Sequence, residues 1–91
     1  MKYPVMTLID GTEITSSDFD KNNQLHIYVE KWSRARNDFS YFEMIIPQGK
    51  VLKIHGFSIH ETKILSDRII RLQNDIIDFI KEKGDGERCQ V

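Results

Sequence analysis

"QLHIYVEKWSRARNDFSYFEMII", residues 24–46, decides the fold. Its first part alternates strictly. Leu25, Ile27 and Val29 fall on one side, and His26, Tyr28, Glu30 and Trp32 on the other, which is the period of two expected of a half-buried antiparallel strand. After a polar stretch over 33–38, "DFSYFEMII" is apolar on both sides: Phe42, Met44 and Ile46 on one, Phe39, Tyr41 and Ile45 around Glu43 on the other. If the 33–38 loop joins the strands symmetrically, Trp32 faces Phe39, Glu30 faces Tyr41, Tyr28 faces Glu43 and His26 faces Ile45.

The flanking segments extend this hairpin into a meander. In "PVMTLIDGTEIT", residues 4–15, two β-favouring runs flank Asp10-Gly11, a dipeptide that accepts the positive φ angles of a two-residue turn, so 4–9 should pair with 12–16. "SSDFDKNNQ" reads as a loop, because Ser, Asp and Asn side chains compete for backbone hydrogen bonds. On the other flank, Pro47 supplies a preset φ and Gly49 a left-handed position. A three-residue loop over 47–49 pairs Ile46 with Lys50, which sets Lys53 beside Glu43 and His55 beside Tyr41. "VLKIHGF" is then the last strand.

Beyond it, Ser58 and Glu61 form the S-x-x-E pattern of a capping box. One helix is expected over residues 59 to about 83. It stops at Gly84, with Lys81 and Lys83 set against the negative end of its dipole. Leu65, Ile69, Ile70, Leu72, Ile76, Ile77 and Ile80 fill one half of its circumference and charged residues the other. The expected fold is α+β: an antiparallel meander of four to five strands with one long C-terminal helix packed on one face, in the order β-β-β-β-β-α. Residues 1–84 form a single domain and 85–91 a flexible polar tail carrying Cys89. The helix should cover Met6, Leu8, Leu25, Ile27, Val29, Phe42, Met44, Ile46, Leu52 and Ile54.

Composition bounds the function. The 91 residues are 40% apolar and 30% charged, as in a soluble globular protein. A chain this short buries only about 60 to 65% of its unfolded surface, so there is room for one core. Thirteen Lys and Arg against fourteen Asp and Glu leave no global field to hold a phosphate backbone. No apolar run approaches the roughly 20 residues that spanning a bilayer needs, and the expectation is a cytoplasmic protein. One cysteine forms neither an internal disulfide nor a zinc ribbon.

The sheet face opposite the helix has no cover within the chain. Tyr28, Glu30, Trp32, Phe39, Tyr41, Glu43, Lys53 and His55 lie on it in rows, and they are the candidate contact residues. Aromatic side chains with a few charges are the usual makings of an interface. A solvated face with a Glu43 to Lys53 ion pair, worth well under about 1 kcal/mol, is the plainer alternative. The helix points the same way, because 25 residues span about 37 Å against about 20 Å for the strands. Ile76, Ile77, Phe79 and Ile80 then overhang, and a second copy or the loop after residue 17 must cover them. The expectation is a non-enzymatic interaction module that homodimerises and binds a partner protein.

Other chemistry finds thinner support. His55, His60 and Glu61, with His26, have ligand atoms but not the spacing of a recognised metal site, and Glu61 is engaged by the cap. His26, His55, Glu30 and Glu43 share a face open to water, which gives little desolvation to tune an acid or base. No Gly-rich phosphate loop is present, and no cofactor is expected. Lys31, Arg34 and Arg36 beside Trp32, Phe39 and Tyr41 make a basic, aromatic hairpin tip, the alternative being a binding module for a small ligand or single-stranded nucleic acid.

From "HIYVEKWS" through "MIIPQGKVLKIHGFSIHE" to the Ile-rich helix, the chain resembles small uncharacterised bacterial proteins carrying a domain of unknown function. These share Y-x-E-K, a Pro-containing turn and I-x-G-F-S opening a helix. The resemblance covers most of residues 25–84 and implies a bacterial source. It brings no activity to any residue here.

Overall fold

Strands β1 (Lys2–Thr7), β2 (Glu13–Ser17), β3 (Leu25–Ser33), β4 (Asp38–Ile46) and β5 (Lys50–His55) lie side by side in chain order, each antiparallel to the next, and helices α1 (Ile59–Arg71) and α2 (Gln73–Cys89) follow. The computed structural model describes residues 2–89, with side chains as far as Lys83. This is the α+β meander expected. The β3–β4 register is also as expected, with Trp32 opposite Phe39, Glu30 opposite Tyr41, Tyr28 opposite Glu43 and His26 opposite Ile45. One face supplies the core: Ile14, Leu25, Ile27, Val29, Phe42, Met44 and Ile46 pack with Phe57, Ile69, Ile76 and Ile80, all buried.

Both outer hairpins differ from expectation by one residue, and each carries a bulge. In the first, the loop is the three residues Ile9, Asp10 and Gly11. The Leu8 amide donates to the Thr12 carbonyl at 2.8 Å, the Gly11 amide to the Leu8 carbonyl, and Gly11 takes φ +88°. A left-handed glycine closing a three-residue loop matches strand twist as well as a two-residue turn does. The ladder then slips between Pro4 and Met6. Because side chains alternate with period two, that slip turns Tyr3 into the core alongside Met6.

In the β4–β5 hairpin, Lys50 pairs with Ile45 rather than Ile46, and the Gly49 amide donates to the Ile45 carbonyl at 2.7 Å. A bulge at Leu52 restores the expected register, so Lys53 does stand opposite Glu43 and His55 opposite Tyr41. The bulge also changes what is covered. Leu52, expected beneath the helix, is 39% exposed, and Val51 takes its place opposite Met44 and packs against the core; Ile54, also expected there, keeps its place opposite Phe42 but is 49% exposed.

The single long helix is in fact two. Ser58 caps α1 with the full capping box, its hydroxyl accepting the Glu61 amide at 3.0 Å while the Glu61 carboxylate accepts the Ser58 amide at 3.1 Å. The last turn of α1 then tightens, and the Leu72 amide is shared between the carbonyls of Arg68 and Ile69. A disturbed backbone bond costs about 1 kcal/mol, whereas burying Ile76 and Ile80 gains about 1.5 to 3 kcal/mol each. Beyond the break the expected overhang finds its cover in the same chain: Ile76 and Ile80 are buried within the monomer, and Phe19 from the loop after β2 packs against the same core. The helix overhang thus gives no reason to call for a second chain. α2 runs past Gly84, where a stop is expected, to Cys89. The side chains of the expected polar tail, Cys89 included, lie outside the described residues.

Candidate functional site: the open sheet face

Alternation along β3, β4 and β5 carries the candidate residues to the face away from the helices, and the structure divides them into two halves. Toward the β3–β4 turn, Trp32 and Phe39 meet edge-on with ring centroids 5.0 Å apart. Beside them Tyr41 and His55 stack at 5.2 Å with planes 25° apart. Trp32, Phe39 and Tyr41 are nevertheless 47%, 49% and 43% exposed. His55 Nε2 lies 3.1 Å from Asp38 Oδ2, so its acidic partner is Asp38 and not the neighbouring Glu30. That contact, followed by the Phe39 amide on Oδ1, holds the Asp38 carboxyl below its usual range.

The inner half is polar and more closely tied. Glu43, expected to pair with Lys53 across the strands, instead receives His26 Nδ1 at 2.8 Å. No ion pair forms between Glu43 and Lys53 among the described residues. The imidazole is half-buried and brings its contact with less exposure than a long, solvated Lys53 would. On its other side, His26 Nε2 lies 3.3 Å from Asp20 Oδ2 in the loop after β2. The bond to Glu43 raises the His26 pKa, burial opposes that, and Asp20 adds to the rise. Tyr28 is pushed up by burial and then by the charge of Glu43, and Lys2 stands over its ring at 4.1 Å while reaching Glu30 at 4.0 Å.

Sequence reasoning placed His26 on this face but missed Asp20 and Asp38 as partners. The run 16–24 signals a loop, and Asp20 does close a turn, its Oδ1 accepting the amides of Asn22 and Gln24 at 2.8 and 3.0 Å. Nothing in that signal says where the other carboxylate oxygen points.

The basic hairpin tip does not assemble. Lys31 lies on the opposite side of β3 from Trp32 and pairs with Asp10 at 3.2 Å. Arg36 folds back onto the Ser40 hydroxyl, and Arg34 stands exposed in the turn. The same alternation that gathers the aromatics on one face sends Lys31 and Ser40 to the other.

Among the described residues no group of three or more His, Cys, Asp and Glu is arranged to hold a metal ion. Asp20 and Glu43 sit on opposite nitrogens of His26 and do not converge on one point. Nor is any described helix long and apolar enough to cross a membrane. No family model matches the chain, and neither the curated proteins nor the solved structures compared with it give a match.

Proposed function

We propose that this protein is a small non-enzymatic interaction module that homodimerises through its open sheet face, with Trp32, Phe39 and Tyr41 as anchors. The observation that carries this reading is the exposure of those three rings side by side at one end of the face. Aromatic side chains present about 150 to 250 Å² each and dominate interface energetics, and a flat row of them beside a rigid five-stranded sheet is preorganised for contact. Charge favours a second copy as the occupant. A two-fold interface sets a surface against itself, so it needs both signs, and this face has Lys2, Lys53, His26 and His55 against Glu13, Glu30 and Glu43.

Light scattering coupled to size exclusion tests the proposal. The chain is expected to weigh as a dimer at roughly tens of micromolar, which corresponds to a binding free energy of about −7 kcal/mol or better. Trp32→Ala and Phe39→Ala should each return it to a monomer that melts cooperatively, close to the wild type diluted to where it is itself monomeric. A monomer at every concentration overturns the homodimer, and a dimer indifferent to both substitutions overturns the choice of face.

A further inference from the structure

His26 sits between two carboxylates that belong to different parts of the fold. Glu43 is on β4, fixed by ladder pairing on both sides, whereas Asp20 is on the 18–24 loop. Both ring nitrogens face a carboxylate oxygen, Nδ1 at 2.8 Å from Glu43 and Nε2 at 3.3 Å from Asp20. A neutral imidazole has one N–H and one lone pair, so it can donate to only one of them and must turn its lone pair on the other. The arrangement is satisfied on both sides only by the imidazolium. We propose that His26 is a proton-operated latch, tying the 18–24 loop to the sheet when charged and releasing it when neutral.

The side that gives way follows from the same geometry. The shorter contact is to the strand residue, so the remaining N–H stays on Glu43 and the lone pair faces Asp20. The loop depends on Asp20. Besides meeting His26, Asp20 accepts the amides of Asn22 and Gln24, its carbonyl accepts the Asn23 amide at 3.0 Å, and its own amide donates to the Gln24 carbonyl at 2.9 Å. Phe19, the one apolar side chain of residues 18–24, packs against the core that holds Ile76 and Ile80, and release lifts it.

The other charged groups around the latch do not replace it. From β2 the Ser17 hydroxyl accepts the His26 amide at 3.0 Å without charge. From β5, Lys53 is opposite Glu43, and Lys50 is opposite Ile45, the residue paired with His26. From β1, Lys2 stands opposite Ser17, one strand beyond the His26 neighbour, and is held over the Tyr28 ring, and Asp18 and Lys21 of the loop itself are exposed. The direction of the His26 titration agrees, since its two carboxylates raise the pKa above 6.5. A raised histidine contributes fully below the unfolded value and is lost as pH climbs through the folded one. The latch therefore closes on the acid side and opens on the alkaline side of the raised His26 pKa.

Amide exchange followed by NMR over about pH 5.5 to 8.5, read as protection factors alongside the His26 ring shifts, tests this. Protection at Asn22, Asn23 and Gln24 is expected to fall along the His26 titration, by about tenfold for every unit by which the closed loop raises its pKa, while Ile27 and Val29 hold theirs. Asp20→Asn keeps the Oδ1 acceptor for Asn22 and Gln24 and turns an NH2 donor toward Nε2 in place of the carboxylate oxygen, which suits the lone pair of the neutral ring and not the imidazolium. It should lower the His26 pKa and abolish the alkaline fall in loop protection, since the NH2 now holds the neutral ring, and His26→Gln should be flat with pH. Wild-type protection that does not follow the His26 titration overturns the latch, as does an Asp20→Asn chain that keeps the wild-type pH dependence.

Discussion

Arg36 lies across Gly56: its guanidinium bonds the Ser40 hydroxyl, and a Cβ added at Gly56 would stand 2.8 Å from Arg36 Nη1 and 2.7 Å from the Ser40 oxygen. Gly56 also has φ +84°, a left-handed conformation that costs a residue with a Cβ about 1 to 2 kcal/mol. Gly11 takes φ +88° with nothing within 4 Å of its added Cβ. The two glycines therefore separate backbone strain from crowding. Gly11→Ala is expected to lose about 1 to 2 kcal/mol in urea unfolding, and Gly56→Ala distinctly more. Arg36→Ala on top of Gly56→Ala should recover only part, because buried Ser40 stays in the way. Equal losses at the two glycines would mean that Arg36 does not hold this position.

The capping box that opens α1 has a pH signature. The Ser58 amide, followed by the Ser58 hydroxyl, holds the Glu61 carboxyl below 4.5. A carboxyl lowered by folding contributes above its unfolded pKa, and that contribution fades as pH falls through the lower folded value. Ser58→Ala removes the hydroxyl half of the box and should cost about 1 kcal/mol at neutral pH. The Glu61 titration, followed by carboxyl carbon shifts, should move upward in that variant. An unmoved titration would separate Glu61 from the cap.

How far the fold could be read in advance depends on whether its cause is local. The β3–β4 register follows from two alternating strands around a symmetric loop, so the rows from Trp32–Phe39 to His26–Ile45 were legible residue by residue. The capping box is equally local. The bulges near Val5 and at Leu52 carry no glycine to mark them, and one slipped residue reassigns Tyr3 to the core in the first and bares Leu52 in the second. The break at Leu72 has neither Gly nor Pro. It is settled by where Ile76 and Ile80 find burial, which no window of sequence contains. At the site, shared faces were readable from parity. The choice of His26 over Lys53 as the partner of Glu43 was not, because it depends on side-chain reach across a twisted sheet and on a loop carboxylate.

The two-helix arrangement itself can be checked. Ile76 and Ile80 are 3% and 2% exposed, whereas Ile64 on α1 is 54% exposed. Ile76→Ala and Ile80→Ala are expected to destabilise by about 2 to 5 kcal/mol each, and Ile64→Ala by less than about 0.5 kcal/mol. If instead a second chain buried Ile76 and Ile80, their loss would grow with protein concentration. A difference between the wild-type and Ile76→Ala unfolding midpoints that stays the same across a wide range of protein concentration is the expected result, since a dimer through the sheet face shifts both alike.

The last expectation concerns Asp10 in the first hairpin, whose carboxyl is lowered to about 2. The Thr12 hydroxyl contributes most, then the Thr12 amide, which donates to Asp10 Oδ1 at 3.0 Å; Lys31 at 3.2 Å adds less. Both charges of the Asp10–Lys31 pair are largely solvated, and salt screens such a pair, whereas a hydrogen bond from the buried Thr12 survives high salt. Thr12→Val keeps the amide and the shape but removes the hydroxyl, so it should raise the Asp10 titration clearly. Lys31→Met, or about 1 M salt, should raise it only slightly. By the linkage sign for a lowered carboxyl, the hairpin keeps this contribution above pH 3.8 and loses it as pH falls through about 2. A titration that moves more with Lys31→Met than with Thr12→Val would transfer control of the turn from the hydrogen bonds to the ion pair.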